Sequence, residues 1–181
     1  MVGMRRWFIL SAIGRDRPGL VAELAQLVYD CDANLEDSRM TILGTDFAVI
    51  LLASAASESA GDSLAVGAKR LEREHGLTIL LRQLEDGARS SVPAPGHKLF
   101  RLSAAGEDRA GIVAGLCRVL AEHRVNIADL STRSRPGPGG SPHYEMSMAV
   151  EVPEALDVPA LRSALEKAAD RLVIDVSLDA A

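Results

Sequence analysis

Apolar residues along this chain alternate between short continuous runs and one-sided helical stripes. Trp7 to Ile13 is a mostly apolar run that stops at Gly14, which reads as a strand. A turn, Gly14-Arg15-Asp16-Arg17-Pro18-Gly19, follows, and then Leu20, Val21, Leu24, Leu27 and Val28 fall on one face of a helix. The pattern predicts a helix ending near Cys31-Asp32, with Pro18 at its first position and Asp16 as the natural cap. Runs over 35–43 and 47–53 flank Gly44-Thr45-Asp46, which predicts a β-hairpin. Leu64, Ala68 and Leu71 mark a second helix over 59–75, which Gly76 can end in the left-handed conformation. Residues 77–84 complete a β-α-β-β-α-β order, the split βαβ or ferredoxin-like arrangement.

The same text then returns. Phe8, Leu10, Ser11, Ala12, Gly14, Asp16, Arg17, Gly19, Val21, Ala22, Leu24, Asn34 and Asp37 reappear 92 positions later as Phe100, Leu102, Ser103, Ala104, Gly106, Asp108, Arg109, Gly111, Val113, Ala114, Leu116, Asn126 and Asp129. A repeat of this period is too long for a short-repeat solenoid and fits a duplicated small domain. The second copy predicts strands at 98–105, 126–134, 143–152 and 172–178, and helices at 110–123 and 157–170. Residues 86–97, rich in Gly, Ser, Pro and Ala, read as the linker between domains at 1–85 and 98–181. The second hairpin loop has grown into Arg135-Pro136-Gly137-Pro138-Gly139-Gly140-Ser141-Pro142, a tolerated insertion or a lid.

A sheet with both helices on one face leaves its other face bare. Strand 47–53 is apolar at every position, which predicts that both its faces are dry and that another domain or chain covers the open one. Strand 143–152 instead sets His143, Glu145, Ser147 and Glu151 against Tyr144, Met146, Met148, Val150 and Val152, which predicts a wetter open face.

Composition narrows the function. The chain is 48% hydrophobic and 25% charged, ordinary for a globular protein. A net charge of −5 and a pI near 5.4 argue against a DNA-coating surface. Only 3% aromatic residues argue against base-stacking platforms. No apolar run is long enough to span a bilayer and no signal peptide is read, so a cytoplasmic location is expected. Cys31 and Cys117 read as structural thiols of a reducing compartment. His75, His97, His123 and His143 have no metal-ligand spacing, and no nucleophile elbow, P-loop or dinucleotide fingerprint is present. Neither catalysis nor a cofactor is expected. Glu36, Asp37 and Arg39 read as solvated edge charge or inter-domain salt bridging.

The duplicated turn carries the most chemistry. A strand running into Gly-x-Asp-Arg-x-Gly and a helix presents backbone N–H groups at the positive end of a helix dipole, which suits a carboxylate. Asp16 and Asp108 can accept from an ammonium group, and the carboxamides of Asn34 and Asn126 supply a donor and an acceptor to a small zwitterion. Capping by the aspartates and left-handed turns at the asparagines explain the same residues without any ligand.

Asp16-Arg17-Pro18-Gly19-Leu20-Val21-Ala22 followed by Asn34-Leu35 resembles the signature of ACT domains, small βαββαβ modules that often bind amino acids. Asp108-Arg109-Ala110-Gly111-Ile112-Val113-Ala114 with Asn126-Ile127 matches too, with Ala110 in place of the proline. The stretch Cys31 to Leu43, with Asn34-Leu35-Glu36-Asp37-Ser38-Arg39-Met40, resembles the tandem-ACT glycine cleavage system transcriptional repressor family. That resemblance implies action through a partner regulatory protein without direct contact to nucleic acid. It also implies an amino-acid site between two domains, carried here by Gly14, Asp16, Gly19, Leu20 and Asn34 and by Gly106, Asp108, Gly111, Ile112 and Asn126.

The expected fold class is therefore α+β: two ferredoxin-like βαββαβ (ACT) domains in tandem, each a four-stranded antiparallel sheet with two helices on one face. The expected function is non-catalytic sensing of a small amino acid, glycine or serine first, by a homo-oligomer that acts through a partner protein. A stand-alone regulatory subunit of an amino-acid-metabolism enzyme and a ligand-free interaction scaffold are the alternatives. An enzyme fragment is disfavoured because no catalytic domain follows Ala181.

Overall fold

Strand β1 (Arg6–Arg15) is the apolar run 7–13 with one or two residues added at each end, and it enters α1 (Leu20–Asp30) through the glycine-rich turn. The hairpin strands β2 (Ala33–Leu43) and β3 (Asp46–Ala55), helix α2 (Ala60–His75) and β4 (Thr78–Leu84) complete the first unit of a computed structural model that describes residues 5–85, 93–137 and 141–181. The second unit repeats the order as β5 (His97–Glu107), α3 (Ile112–Glu122), β6 (Asn126–Pro136), β7 (Pro142–Pro153), α4 (Val158–Leu172) and β8 (Ile174–Ala180). The sheets have strand orders β2-β3-β1-β4 and β6-β7-β5-β8, with every pairing antiparallel. This is the expected α+β architecture, twice.

The chain divides into Met1–Arg89 and Ser90–Ala181. Of the segment read as a linker, residues 86–92 lie outside the described residues. Its remainder is folded onto the second unit: Ala94 is buried, and its N–H donates to Glu151.

Each core fills the space between a sheet face and its two helices. In the first unit Phe8, Leu10, Phe47 and Leu51 meet Leu20, Leu24, Leu27, Val28 and Leu64. In the second, Leu102, Met148 and Val150 meet Leu116, Leu120, Leu161 and Leu165. Burying each such side chain contributes about 1.5–3 kcal/mol, so these stripes decide which faces turn inward. Val21, counted with the α1 stripe, is exposed instead.

The helix starts differ from expectation. The N-cap of α1 is Gly19, left-handed at φ 96°, and no side chain caps it. Pro18 cannot be the first helical residue, because the chain needs a positive φ after it to swing into the helix, and glycine reaches that conformation without strain. Asp16 is tied elsewhere: its backbone N–H donates to Thr45 at 3.0 Å, across the hairpin tip. The second copy repeats the device with Gly111 at φ 97° and Asp108 N–H on Pro142 at 2.9 Å. Ala110 in place of proline therefore leaves the helix start unchanged.

Both edge strands carry a bulge at the same repeat position, where pairing shifts between Leu35 and Asp37 and between Ile127 and Asp129. Up to the hairpins the copies align at an offset of 92. Beyond them Asn34 faces Ser54 whereas Asn126 faces Glu151, so the offset has become 97. Of the loop that makes the difference, Pro138 to Gly140 lie outside the described residues.

The two faces of β3, both expected to be dry, differ within this chain. Its helix face is buried, but on the open face Ile50 is 52% exposed, beside Ile13 at 55% and Leu80 at 67%. The second sheet's open face is wet as expected, with Arg101 and Glu145 exposed and Ser103, Ser147 and Ser177 along it. Glu151 is the exception. Predicted to be on the wet side, it is 3% exposed.

Candidate functional site

The turn residues are placed by packing. A Cβ on Gly14 would lie 2.6 Å from the Leu77 side chain, and one on Gly106 would lie 2.8 Å from the Ile174 side chain and 3.1 Å from its Cα. Glycine at both positions lets the strand pass close to the last helix–strand connection of its own domain. Leu20 and Ile112 are buried, so their side chains serve the core and only their backbone faces the turn. The first intrahelical bonds are Glu23 N–H to Gly19 at 3.0 Å and Gly115 N–H to Gly111 at 2.8 Å. A helix supplies no partner for the N–H groups ahead of these, which leaves each turn with donors suited to a carboxylate.

The two turns differ in their surroundings. In the first, Arg17 holds the Glu23 carboxylate at 2.6 Å, and His75 approaches the same oxygen at 3.1 Å. The Arg17 hydrogen bond, more than any other influence, keeps the Glu23 carboxyl below the usual carboxylate range. In the second, the position of Glu23 is taken by Gly115, and Arg109 turns back to Glu107 at 2.7 Å. There Asp108 accepts from the Ser134 hydroxyl at 2.6 Å. Gly106 faces Tyr144, where Gly14 faces the wholly apolar Phe47. Burial raises the Tyr144 phenol, against a lowering hydrogen bond with Thr132, while Asp108 and Cys117 add to the rise. The second turn is thus backed by hydroxyls where the first is backed by Phe47 and Ile42.

The asparagines lie at the other end of each sheet. Asn34 shares a row with Ser54 and Trp7, while Gly14 is seven residues further along β1. At strand spacing that separation is roughly 23 Å. The structure therefore brings Gly14, Asp16, Gly19 and Leu20 together, and Gly106, Asp108, Gly111 and Ile112 together, but keeps Asn34 and Asn126 away from the turn of their own domain.

At this far end each asparagine has a carboxylate for company. The Asn126 amide donates to Glu151 at 2.7 Å, and the other Glu151 oxygen accepts from Ala94 N–H at 3.0 Å. In the first domain the carboxylate is Glu36, the bulge residue. It accepts from the Ser54 hydroxyl at 2.5 Å and pairs with Arg5 at 3.5 Å. The Ser54 bond foremost, then a bond with Asn34, holds the Glu36 carboxyl below its ordinary value. Glu36 sits where the repeat has Ala128, and Ser54 sits where the second sheet has Glu151. The acid has changed strands and kept its place beside the asparagine. Glu36 is thus an exposed charge on an edge strand, as read, with a hydroxyl and an arginine as its partners. The sequence signal was the acid itself, but its partner became visible only with the bulge and the hairpin register.

Among the described residues no group of three or more His, Cys, Asp or Glu is placed to hold a metal ion. No described helix is long and apolar enough to cross a membrane.

Comparison with known proteins agrees with this geometry. The family described as ACT domain matches residues 6–81 and again residues 101–170. The glycine cleavage system transcriptional repressor of Escherichia coli is 28% identical over 132 residues, covering 73% of this chain and 67% of that protein. A UPF0237 protein of Methanopyrus kandleri is 43% identical over 72 residues, 39% of this chain and 74% of its own. The crystal structure of an unknown protein from Galdieria sulphuraria superposes with a TM-score of 0.80 at 29% identity, covering 98% of this chain and 99% of that one.

Proposed function

The chain belongs to the ACT-domain family, with one such domain in each half, and from that premise we propose that it is an amino-acid-sensing regulator acting through a partner protein. The observation that carries the reading is the asparagine–carboxylate pair, kept in both domains although a different strand supplies the acid in each. With its NH2 group turned to the acid, the asparagine has its carbonyl left for an ammonium, which the neighbouring negative charge also favours. The turns offer the complementary half, N–H donors for a carboxylate. Glycine or serine carries both groups a few ångströms apart and has no side chain demanding a large pocket. Since one domain holds its turn and its asparagine roughly 23 Å apart, the asparagine that completes a turn belongs to a different ACT domain. Ligand binding then alters domain association, and a partner that reads the association reads the ligand.

The relative's name supports transcription as the process regulated. A net charge of −5 suits a chain that leaves contact with DNA to its partner. Calorimetry and thermal shift with each of the twenty amino acids test the proposal. Glycine or serine is expected to raise the melting temperature, and at a hundredfold excess over Kd the gain is about 2.7 kcal/mol. The Asn34→Ala, Asn126→Ala double variant is expected to lose that response while keeping its fold. Binding by no amino acid, or binding that survives the double variant, overturns the assignment. Affinity purification then separates a DNA-binding partner from an enzyme.

A further inference from the structure

The open face of the first sheet can be laid out row by row from its register. One row reads Arg82, Ile9, Leu52, Asp37 across β4, β1, β3 and β2. The next reads Leu80, Ser11, Ile50, Arg39, and the one beyond it Thr78, Ile13, Ala48, Thr41. The middle of this face is aliphatic and partly bare, while its edges carry opposite charges in one row: Arg82 on β4 and Asp37 on β2, both exposed. The second sheet has no such centre, since Arg101, Ser103, Ser147 and Glu145 occupy the corresponding ground. An aliphatic centre framed by charge on one face only marks an interaction surface.

We propose that this face is the contact surface of a symmetric dimer whose twofold axis runs parallel to the strands. Rotation about such an axis lays β4 of one copy over β2 of the other and β1 over β3, with the rows in step. Arg82 then meets Asp37 of the second copy at both edges, and Ile9 meets Leu52 between them. Ile50 packs over Ser11, and the stem of Arg39 lies along Leu80. Aligned sheets pack about 10 Å apart at roughly 30°, a distance that long side chains such as arginine span. A face four strands wide and seven residues long is about 19 by 23 Å, so two copies bury on the order of 1,000 Å2, the lower bound for a specific interface. A twofold axis across the strands would instead set Asp37 over Arg39 and Arg82 over Leu80, so a dimer unaffected by Arg82→Asp would overturn the arrangement proposed here. This inference stands on the first sheet alone and does not depend on a ligand.

Sedimentation equilibrium of the full chain over a wide concentration range tests it, with circular dichroism as the control for folding. The wild type is expected to dimerise without added amino acid, and Ile50→Lys to be a folded monomer. Arg82→Asp and Asp37→Arg are each expected to weaken the dimer tenfold or more, since symmetry converts two attractive pairs into two repulsive ones. The double swap restores both pairs and is expected to regain most of the loss. A monomeric wild type, an unaffected Ile50→Lys dimer, or a double swap no tighter than the single variants each overturns the proposal. Dimerisation that fails while glycine or serine still binds removes this interface and leaves the sensing proposal standing.

Discussion

Asn126 and Glu151 lie on neighbouring strands directly opposite one another, and the amide of the first donates to the carboxylate of the second at 2.7 Å. The same carboxylate takes the N–H of Ala94, so one buried acid ties β6, β7 and the segment leading into β5 together.

Replacing Glu151 with Ala leaves the buried Ala94 N–H without its acceptor, while the exposed Asn126 amide can turn to water. The expected loss for the second domain is about 1–3 kcal/mol. Glu151→Gln retains an acceptor for Ala94 and is expected to lose less. Urea denaturation followed by hydrogen exchange of the β5 and β7 amides measures both. Fluorescence of Trp7, the sole tryptophan, is expected to stay unchanged, because it reports on the first domain.

Gly106→Ala is expected to be more damaging than Gly14→Ala, although the two glycines are repeat equivalents. The added methyl at Gly14 meets the end of a leucine side chain, which can rotate aside. At Gly106 it also meets Ile174 Cα at 3.1 Å, and backbone yields less readily. Thermal unfolding of the two single variants gives the ranking. Equal losses would show that the strand-to-strand approach relaxes as easily as a rotamer.

Stability of the first domain is expected to fall in acid. Glu23, Glu36 and Glu72 all have carboxyls held below their ordinary value of 4.5, chiefly by hydrogen bonds from Arg17, Ser54 and Lys69 respectively. A carboxyl whose pKa is lower folded than unfolded contributes stability that is fully present above the unfolded value and is lost as pH falls through the folded one. The transition read by Trp7 fluorescence should therefore move to lower denaturant as pH drops below 4.5, with little change above it. A Glu36→Gln, Glu72→Gln variant should flatten that dependence.

Val173 closes α4 in the left-handed conformation, at φ 56° and 60% exposed, where α2 uses Gly76. A β-branched residue is strained there, and its side chain gains little from burial. Val173→Gly is expected to stabilise the second domain by about 1 kcal/mol, which corresponds to a rise of some 4–8 °C in its melting temperature. A loss of stability would mean that the exposed valine is packed by something outside the chain.

Most of the fold was legible because apolar periodicity is a local property. The stripe Leu20, Leu24, Leu27 and Val28 needs no knowledge of what it packs on. The position of a cap was less legible, since Asp16 and Gly19 are both good helix-start residues and only the hairpin contact to Thr45 decides between them. Faces were harder still. The run Phe47 to Ala53 shows that residues are apolar, but the bareness of Ile50 depends on what lies over the sheet. The carboxylates beside the asparagines were least accessible. Glu36 acts through a bulge that residue spacing does not show, and the pairing of Glu151 depends on how far the visibly longer second hairpin loop shifts the register.

The step in offset from 92 to 97 confines the whole length difference between the halves to one connection, with strand pairing and bulges alike on either side of it. The halves are therefore interchangeable in genetic terms. A crossover between the copies after the bulge and before the hairpin tip exchanges β1-α1 and the start of β2 for β5-α3 and the start of β6 without shifting a cross-strand pair. What such an exchange would break is the chemistry at the asparagine, where the bulge residue Glu36 would arrive beside Glu151 in one recombinant and Ala128 beside Ser54 in the other. One product would crowd two acids into one place and the other would have none. The acid beside each asparagine is thus matched to its own half of the repeat.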